Sequence, residues 1–238
     1  MSVTLPYDLL EQVVAYVDDR HDVLSFALSN KDAYSLAVPQ HLHYRDIRCK
    51  LRNPNLWQWL SGSENRRVAH IRSLTILPEY TEGHWLPSEH LYYLRQRLPA
   101  ELSRYESPSL RPPTKEKLRD SERKLISALK RMSNLQRFRW YHSPRPLLNG
   151  GDNVWSTLKR LGSVKEVDAV DSCSYVPGVK FMALSETFLS LTGITSFKHR
   201  TAICGSFPHG EDPEIPLLEQ MLAYKLPELS VQFFLSVN

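Results

Sequence analysis

A six-residue pattern, apolar-x-x-apolar-x-apolar, recurs along this chain and restricts its fold more than any other feature. Each copy follows apolar residues at helical spacing. Ile71-x-x-Leu74-x-Ile76 comes after Leu56, Trp57, Trp59, Leu60 and Val68, and Leu135-x-x-Phe138-x-Trp140 after Leu125, Ile126, Leu129 and Met132. Val164-x-x-Val167-x-Ala169, Ile194-x-x-Phe197-x-His199 and Leu226-x-x-Leu229-x-Val231 continue the series. The last four copies start 29, 30 and 32 residues apart. A strand-plus-helix unit of that length buries its apolar side only by stacking on its neighbours. The expected fold is therefore α/β, with parallel strands on one face and helices on the other.

Two irregularities interrupt the series. The starts at Ile71 and Leu135 are 64 residues apart, about two units. The stretch between them holds either a degenerate unit, with a helix at 88–97 and a poor strand near 102–105, or an irregular insertion around 78–114. Pro108, Pro112 and Pro113 forbid a hydrogen-bonded ladder there, which favours the insertion. Thr114 suits the cap of a helix resuming at Lys115. The apolar run Val231–Leu235 ends the series without a polar cap, so the last edge either meets a partner or belongs to a truncated array.

The amino-terminal stretch follows another rhythm. Pro6 suits a first helical position, Asp8 sits where the helix dipole favours an acid, and Leu9, Leu10, Val13, Val14 and Val17 recur at helical spacing. Asp22 can cap a second helix carrying Val23, Leu24, Phe26, Ala27 and Leu28. Ser29 or Asn30 can cap a third, through Tyr34 and Leu36, which Pro39 should stop. About forty residues cannot hide this much apolar surface alone. Either a partner or the following units must cover it.

Taken in order, Leu5-Pro6-x-x-Leu9-Leu10-x-x-Val13-x-x-Tyr16-Val17, Asp22-Val23-Leu24-x-Phe26-x-Leu28-Ser29-x-Lys31, Tyr34-x-Leu36-x-x-Pro39 and Leu42-x-Tyr44-Arg45 resemble an F-box. The chain is most similar to fungal F-box proteins that continue into degenerate leucine-rich repeats, and its unit length lies at or just past the upper end of such repeats. Tyr34 stands where that family often has Trp. The resemblance implies an F-box domain at 1–48 and a leucine-rich-repeat-like domain at 49–238, a short solenoid with parallel strands on its concave face. It also implies that Leu5, Pro6, Leu9, Leu10, Val13 and Leu24 dock a Skp-type adaptor and, through it, a cullin–RING (SCF-type) ubiquitin ligase. The chain would then be a substrate receptor in ubiquitin-dependent protein degradation, with a protein substrate of unknown identity.

With hydrophobic residues at 42% and aromatic residues at 10%, the chain is built to fold. Cys49, Cys173 and Cys204 form no Cys-x-x-Cys pair, so neither a disulfide framework nor a zinc cage is indicated. No basic segment followed by an apolar run marks a signal peptide, and no apolar run reaches membrane-spanning length. Cytoplasm or nucleus is the expected location.

If the units stack in register, residues between the apolar positions line the face away from the helices. The rows across the strands are then Arg137, Glu166, Ser196, Glu228; Arg139, Asp168, Lys198, Ser230; and Tyr141, Val170, Arg200, Gln232. Arg137, Arg139, Tyr141, Lys198 and Arg200 are the candidate substrate anchors, since Tyr and Arg favour interface centres. Equally, alternating charges such as Arg139, Asp168 and Lys198 can satisfy one another. Residues 95–139 hold 13 Lys or Arg against 5 Asp or Glu, which suits an acidic ligand or, more simply, the wet side of a helix whose dry side is Leu118, Leu125, Ile126, Leu129 and Met132. No nucleic-acid-binding motif accompanies this basic stretch.

Catalytic patterns are lacking. His41-x-His43 with Asp46 and Cys49 fits no zinc spacing, Asn149-Gly150-Gly151-Asp152 reads as a turn, and neither a phosphate loop nor a nucleophile elbow occurs. No enzyme activity, metal or cofactor is expected. Two functions remain: a substrate receptor, or a non-catalytic repeat scaffold whose F-box-like segment is only a solenoid cap.

Overall fold

A computed structural model describes residues 6–17, 19–77, 114–141, 146–148, 150–171, 188, 191–201 and 230–233. The 78–113 stretch, Leu5, Cys173, Cys204, Glu228, Leu229 and residues 234–238 lie outside the described residues. The fold is mixed α and β. Six strands, β1 (Asp46–Lys50), β2 (Ser73–Leu77), β3 (Arg137–Trp140), β4 (Glu166–Asp171), β5 (Ser196–Thr201) and β6 (Ser230–Phe233), form one sheet in sequential order. Every neighbouring pair is parallel.

The amino-terminal unit has three helices, α1 (Tyr7–Tyr16), α2 (Arg20–Ala27) and α3 (Lys31–Ala37). Asp8 occupies the first turn of α1. The α2 cap is Asp19 rather than Asp22, which lies one turn further in. Asn30 caps α3, accepting a 2.8 Å bond from the Ala33 amide. Pro39 does not stop the chain's coiling. The backbone widens into a π-helical turn over Val38–Leu42, closed by His43 N–H donating to the Val38 carbonyl. Proline has no N–H for the ordinary ladder, and the wider turn passes that gap without an unmet donor.

Three further helices, α4 (Pro54–Ser61), α5 (Lys115–Leu129) and α6 (Val154–Leu161), cover one face of the sheet. Asn53 caps α4, Thr114 caps α5, and Asn153 with Ser156 forms a capping box on α6. Gly162 ends α6 at φ 65°, a left-handed position that glycine adopts without steric cost. One core joins Trp57, Leu60, Leu125, Leu129, Trp155 and Leu158 of the helices to Leu74, Ile76, Phe138, Trp140, Val167 and Phe197 of the strands. A separate small core unites Val14, Val23, Ala27, Leu36 and Ala37, with Leu10 and Val17 packed against it.

The backbone repeats at every strand start. Arg72 and Ser73 both donate to the Arg45 carbonyl, Gln136 and Arg137 to that of Arg72, Lys165 and Glu166 to that of Gln136, and Thr195 and Ser196 to that of Lys165. Positions 45, 72, 136, 165 and 195 are therefore equivalent. Strand β1 adds a first member at Tyr44-x-x-Ile47-x-Cys49, so the sheet begins within the stretch assigned to the three helices. The last strand pairs two residues later than its sequence pattern suggests. Phe197 faces Val231 and Lys198 faces Gln232, where Leu229 and Ser230 were expected. A two-residue shift leaves every side chain on its own face, so period-two patterning permits both registers.

Glu122 on α5 is buried and accepts the Leu147 and Leu148 amides at 2.8 and 3.2 Å, fastening the segment that leads into α6. Burial pushes its carboxyl above the ordinary value, against those two backbone bonds, which favour the ionised form. A raised folded-state pKa means that its contribution is complete below the unfolded value and is lost as pH rises through the folded one. Glu122→Ala strands two amide donors and should cost about 2–4 kcal/mol. Glu122→Gln keeps an acceptor and removes the buried charge, so at pH 7 it should unfold close to the wild type in urea titrations.

Candidate interaction surfaces

Helix α1 is apolar on two faces. Leu10, Val14 and Val17 point into the small core, whereas Leu9, Val13 and Tyr16, at the same i, i+4, i+7 spacing, face outwards. Leu9 is 45% exposed and Val13 51%. Leu24 and Leu28 on α2, with Tyr7 and Tyr34, extend the exposed apolar set. Pro6 is also exposed. Of the six expected adaptor contacts, Pro6, Leu9, Val13 and Leu24 are thus accessible, and Leu10 is half-buried against the unit's own core. Tyr16 and Leu28, exposed at 84% and 72%, join this surface although the F-box-like pattern does not mark them as contacts. The signal for Tyr16 is the second stripe of α1, which a single apolar face per helix conceals.

The three-helix unit is fastened to the sheet at the carboxyl end of α1. Arg45 donates to the Val17 carbonyl and Arg72 to the Ala15 carbonyl. These arginines occupy the first two equivalent strand-start positions, and they bring positive charge to the negative end of the α1 dipole. Beside them His41 and His70 pack edge to face, ring centroids 4.8 Å apart. Burial, aided by the charges of His70, Arg45 and Arg72, holds the His41 pKa down to about 4. Burial also lowers that of His70, with Glu11 opposing and Arg72 assisting. The neutral forms are the folded forms. Because the folded pKa lies below the unfolded one, the contribution is complete above pH 6.5 and is lost as pH falls from 6.5 through 4. Acidification across that window should remove about 2–3 kcal/mol of the His41 contribution. Denaturant unfolding at pH 7 and pH 4 checks this, and His41→Leu should flatten the difference.

The second sheet face, away from the helices, carries rows fixed by the strand register. Asp46, Ser73, Arg137, Glu166 and Ser196 form one; Arg48, Thr75, Arg139, Asp168 and Lys198 form the next. Arg137 and Asp46 approach to 3.5 Å. Register sets Asp168 between Arg139 and Lys198, yet Asp168 accepts the Tyr141 hydroxyl at 2.7 Å. Arg139 and Lys198 have no hydrogen-bond or ion-pair partner among the described residues, and neither does Arg48, which the sequence reading did not single out. Tyr141 is buried, so its role here is to hold Asp168, while Arg137, Arg139 and Lys198 stay half-exposed. Arg200 pairs with Val170 in the backbone register, and its side chain lies outside the described residues.

The described basic side chains of α5, including Lys117, Arg119, Arg123 and Lys124, are exposed opposite its buried Leu118, Leu125, Ile126 and Leu129. Elsewhere, Trp59 and Arg67 line an open cavity of about 540 Å³, with Arg67 over the Tyr44 ring. Among the described residues no group of three His, Cys, Asp or Glu is placed to hold a metal ion, and no helix is long and apolar enough to cross a membrane. The described residues form a parallel α/β sheet protein with a helical amino-terminal unit. No family model matches the chain, and no curated protein is significantly similar to it.

Proposed function

We propose that the chain is the substrate-receptor subunit of a cullin–RING ubiquitin ligase, non-catalytic itself and acting in the cytoplasm or nucleus. On this reading the three helices are an F-box that docks a Skp-type adaptor, and the strand–helix units are leucine-rich-repeat-like, their concave face recruiting a protein substrate. The reading rests on one observation above all: Leu9, Val13 and Leu24 remain exposed beside a core that their own unit has already completed. Its residues also follow the ordered F-box pattern. The mechanism is proximity. Holding substrate and adaptor on one rigid body raises the effective concentration of the substrate at the transferring subunits, with no acid–base group required here.

A scaffold reading draws on a different observation, the clamp of Arg45 and Arg72 on the end of α1, which suits a helical cap seated on the first strands. The two readings part at the outer stripe. Co-purification with a Skp-type adaptor, lost in Leu9→Asp/Val13→Asp while the circular dichroism spectrum persists, supports the receptor. A wild-type chain that captures no adaptor supports the scaffold.

A further inference from the structure

We propose that the second sheet face docks an extended acidic peptide whose carboxylates recur at every third residue, held by Arg48, Arg139 and Lys198. This deepens the substrate-receptor reading and rests on it for the ligand's role, but the binding itself requires no adaptor.

The spacing of the cations sets the ligand. Arg48, Arg139 and Lys198 share one row and stand on β1, β3 and β5, with Thr75 and Asp168 on the strands between. Adjacent strands lie about 4.8 Å apart, so consecutive cations are about 10 Å apart. A chain in the polyproline II conformation rises about 3.1 Å per residue with three residues per turn, which brings every third side chain to one side at about 9.3 Å. Glu or Asp at i, i+3 and i+6 therefore meets the three cations in turn.

Charge on the same face selects against other anions. Asp168, fixed by Tyr141, occupies the gap between Arg139 and Lys198. A run of adjacent carboxylates would place one against it. Asp46 and Glu166 stand in the next row. A nucleic-acid backbone, with a phosphate at every nucleotide, would meet these three acids as well as the cations. Thr75 on β2 is buried, so contact with the ligand falls to the cations on β1, β3 and β5. Among the described residues, Arg48 and Arg139 hold no ion pair that the ligand would have to break.

The test is fluorescence anisotropy with the full chain and no adaptor present. Two labelled peptides of identical composition are titrated, one Glu-x-x-Glu-x-x-Glu and one with its three Glu contiguous. The spaced peptide should bind at least 10-fold more tightly. Arg139→Glu should weaken it at least 10-fold, and a peptide with Lys at the central position should restore binding to that variant. Lys124→Glu, an exposed change on α5 of equal net charge, should leave the affinity unchanged. If Arg139→Glu fails to fold, Lys198→Glu carries the same comparison against a peptide with its last Glu changed to Lys. Equal affinity for the two peptides, equal loss in Lys124→Glu, or tighter binding of a single-stranded oligonucleotide overturns the proposal. Failure to capture an adaptor would sink the ligase reading and leave this titration as it stands.

Discussion

Leu9→Asp combined with Val13→Asp should abolish capture of a Skp-type adaptor, with at least a ~100-fold loss of affinity, and leave the chain folded. Fully burying a Leu or Val side chain is worth about 2 kcal/mol, and a tenfold change in affinity is about 1.4 kcal/mol. Introducing two carboxylates there adds the cost of desolvating them against apolar groups. Folding should survive because the outer stripe of α1 contributes nothing to the small core, which Leu10, Val14 and Val17 complete from the other side. Leu10→Asp is the informative contrast. It places a charge against Val14, Val23 and Leu36 and should unfold the unit, so adaptor loss there would say nothing about docking. Isothermal titration of purified adaptor into each variant separates these outcomes, with thermal unfolding alongside. A wild-type chain that binds the adaptor, and a Leu9/Val13 variant that binds it equally well, would remove the outer stripe from the interface.

The parallel strands were legible in the chain because apolar periodicity reports burial directly. Leu74, Ile76, Phe138, Trp140, Val167 and Phe197 all lie in the core where the repeated pattern sets them. The cap at Thr114 was legible too, as side-chain chemistry immediately before a helical run. Strand β1 is masked in the sequence although Tyr44-x-x-Ile47-x-Cys49 carries the pattern, because Tyr44 and Arg45 also fit the end of the helical unit. The β6 register was not recoverable from periodicity at all, since a shift by two residues conserves both faces. The split of α1 into inner and outer stripes depends on where α2 and α3 pack, a tertiary fact that spacing within α1 does not contain. The partner choice of Asp168 is of the same kind. Three charges in a row read equally as a neutralised ladder or as a ligand-binding row, and neither reading contains the bond from the Tyr141 hydroxyl, one position past β3, to the Asp168 carboxylate.

Phe188→Ala should lower stability by about 3–5 kcal/mol, and the melting temperature by on the order of 10 °C in a chain of this size. Phe188 is 1% exposed and stands between Trp155, at 4.7 Å between ring centroids, and Phe197, at 5.5 Å. Trp155 in turn meets Phe138 edge to face at 5.9 Å. The four rings run through the core from β3 through α6 to β5, so removing one leaves a void bordered by two aromatic side chains. Phe188→Leu retains most of the volume and should cost about 1–2 kcal/mol, which distinguishes a cavity from a backbone effect. The consequence extends to the other side of the sheet. Phe197 immediately precedes Lys198 on β5, and one anchors the strand in the core while the other faces the proposed ligand. Loosening the anchor should therefore weaken the spaced acidic peptide several-fold in Phe188→Ala, measured below its melting transition. It should do so without touching adaptor capture, because the α1–α2 surface belongs to a separate core. Equal loss of both activities would instead mean that the two cores unfold as one cooperative unit, joined through Arg45, Arg72 and the His41–His70 contact.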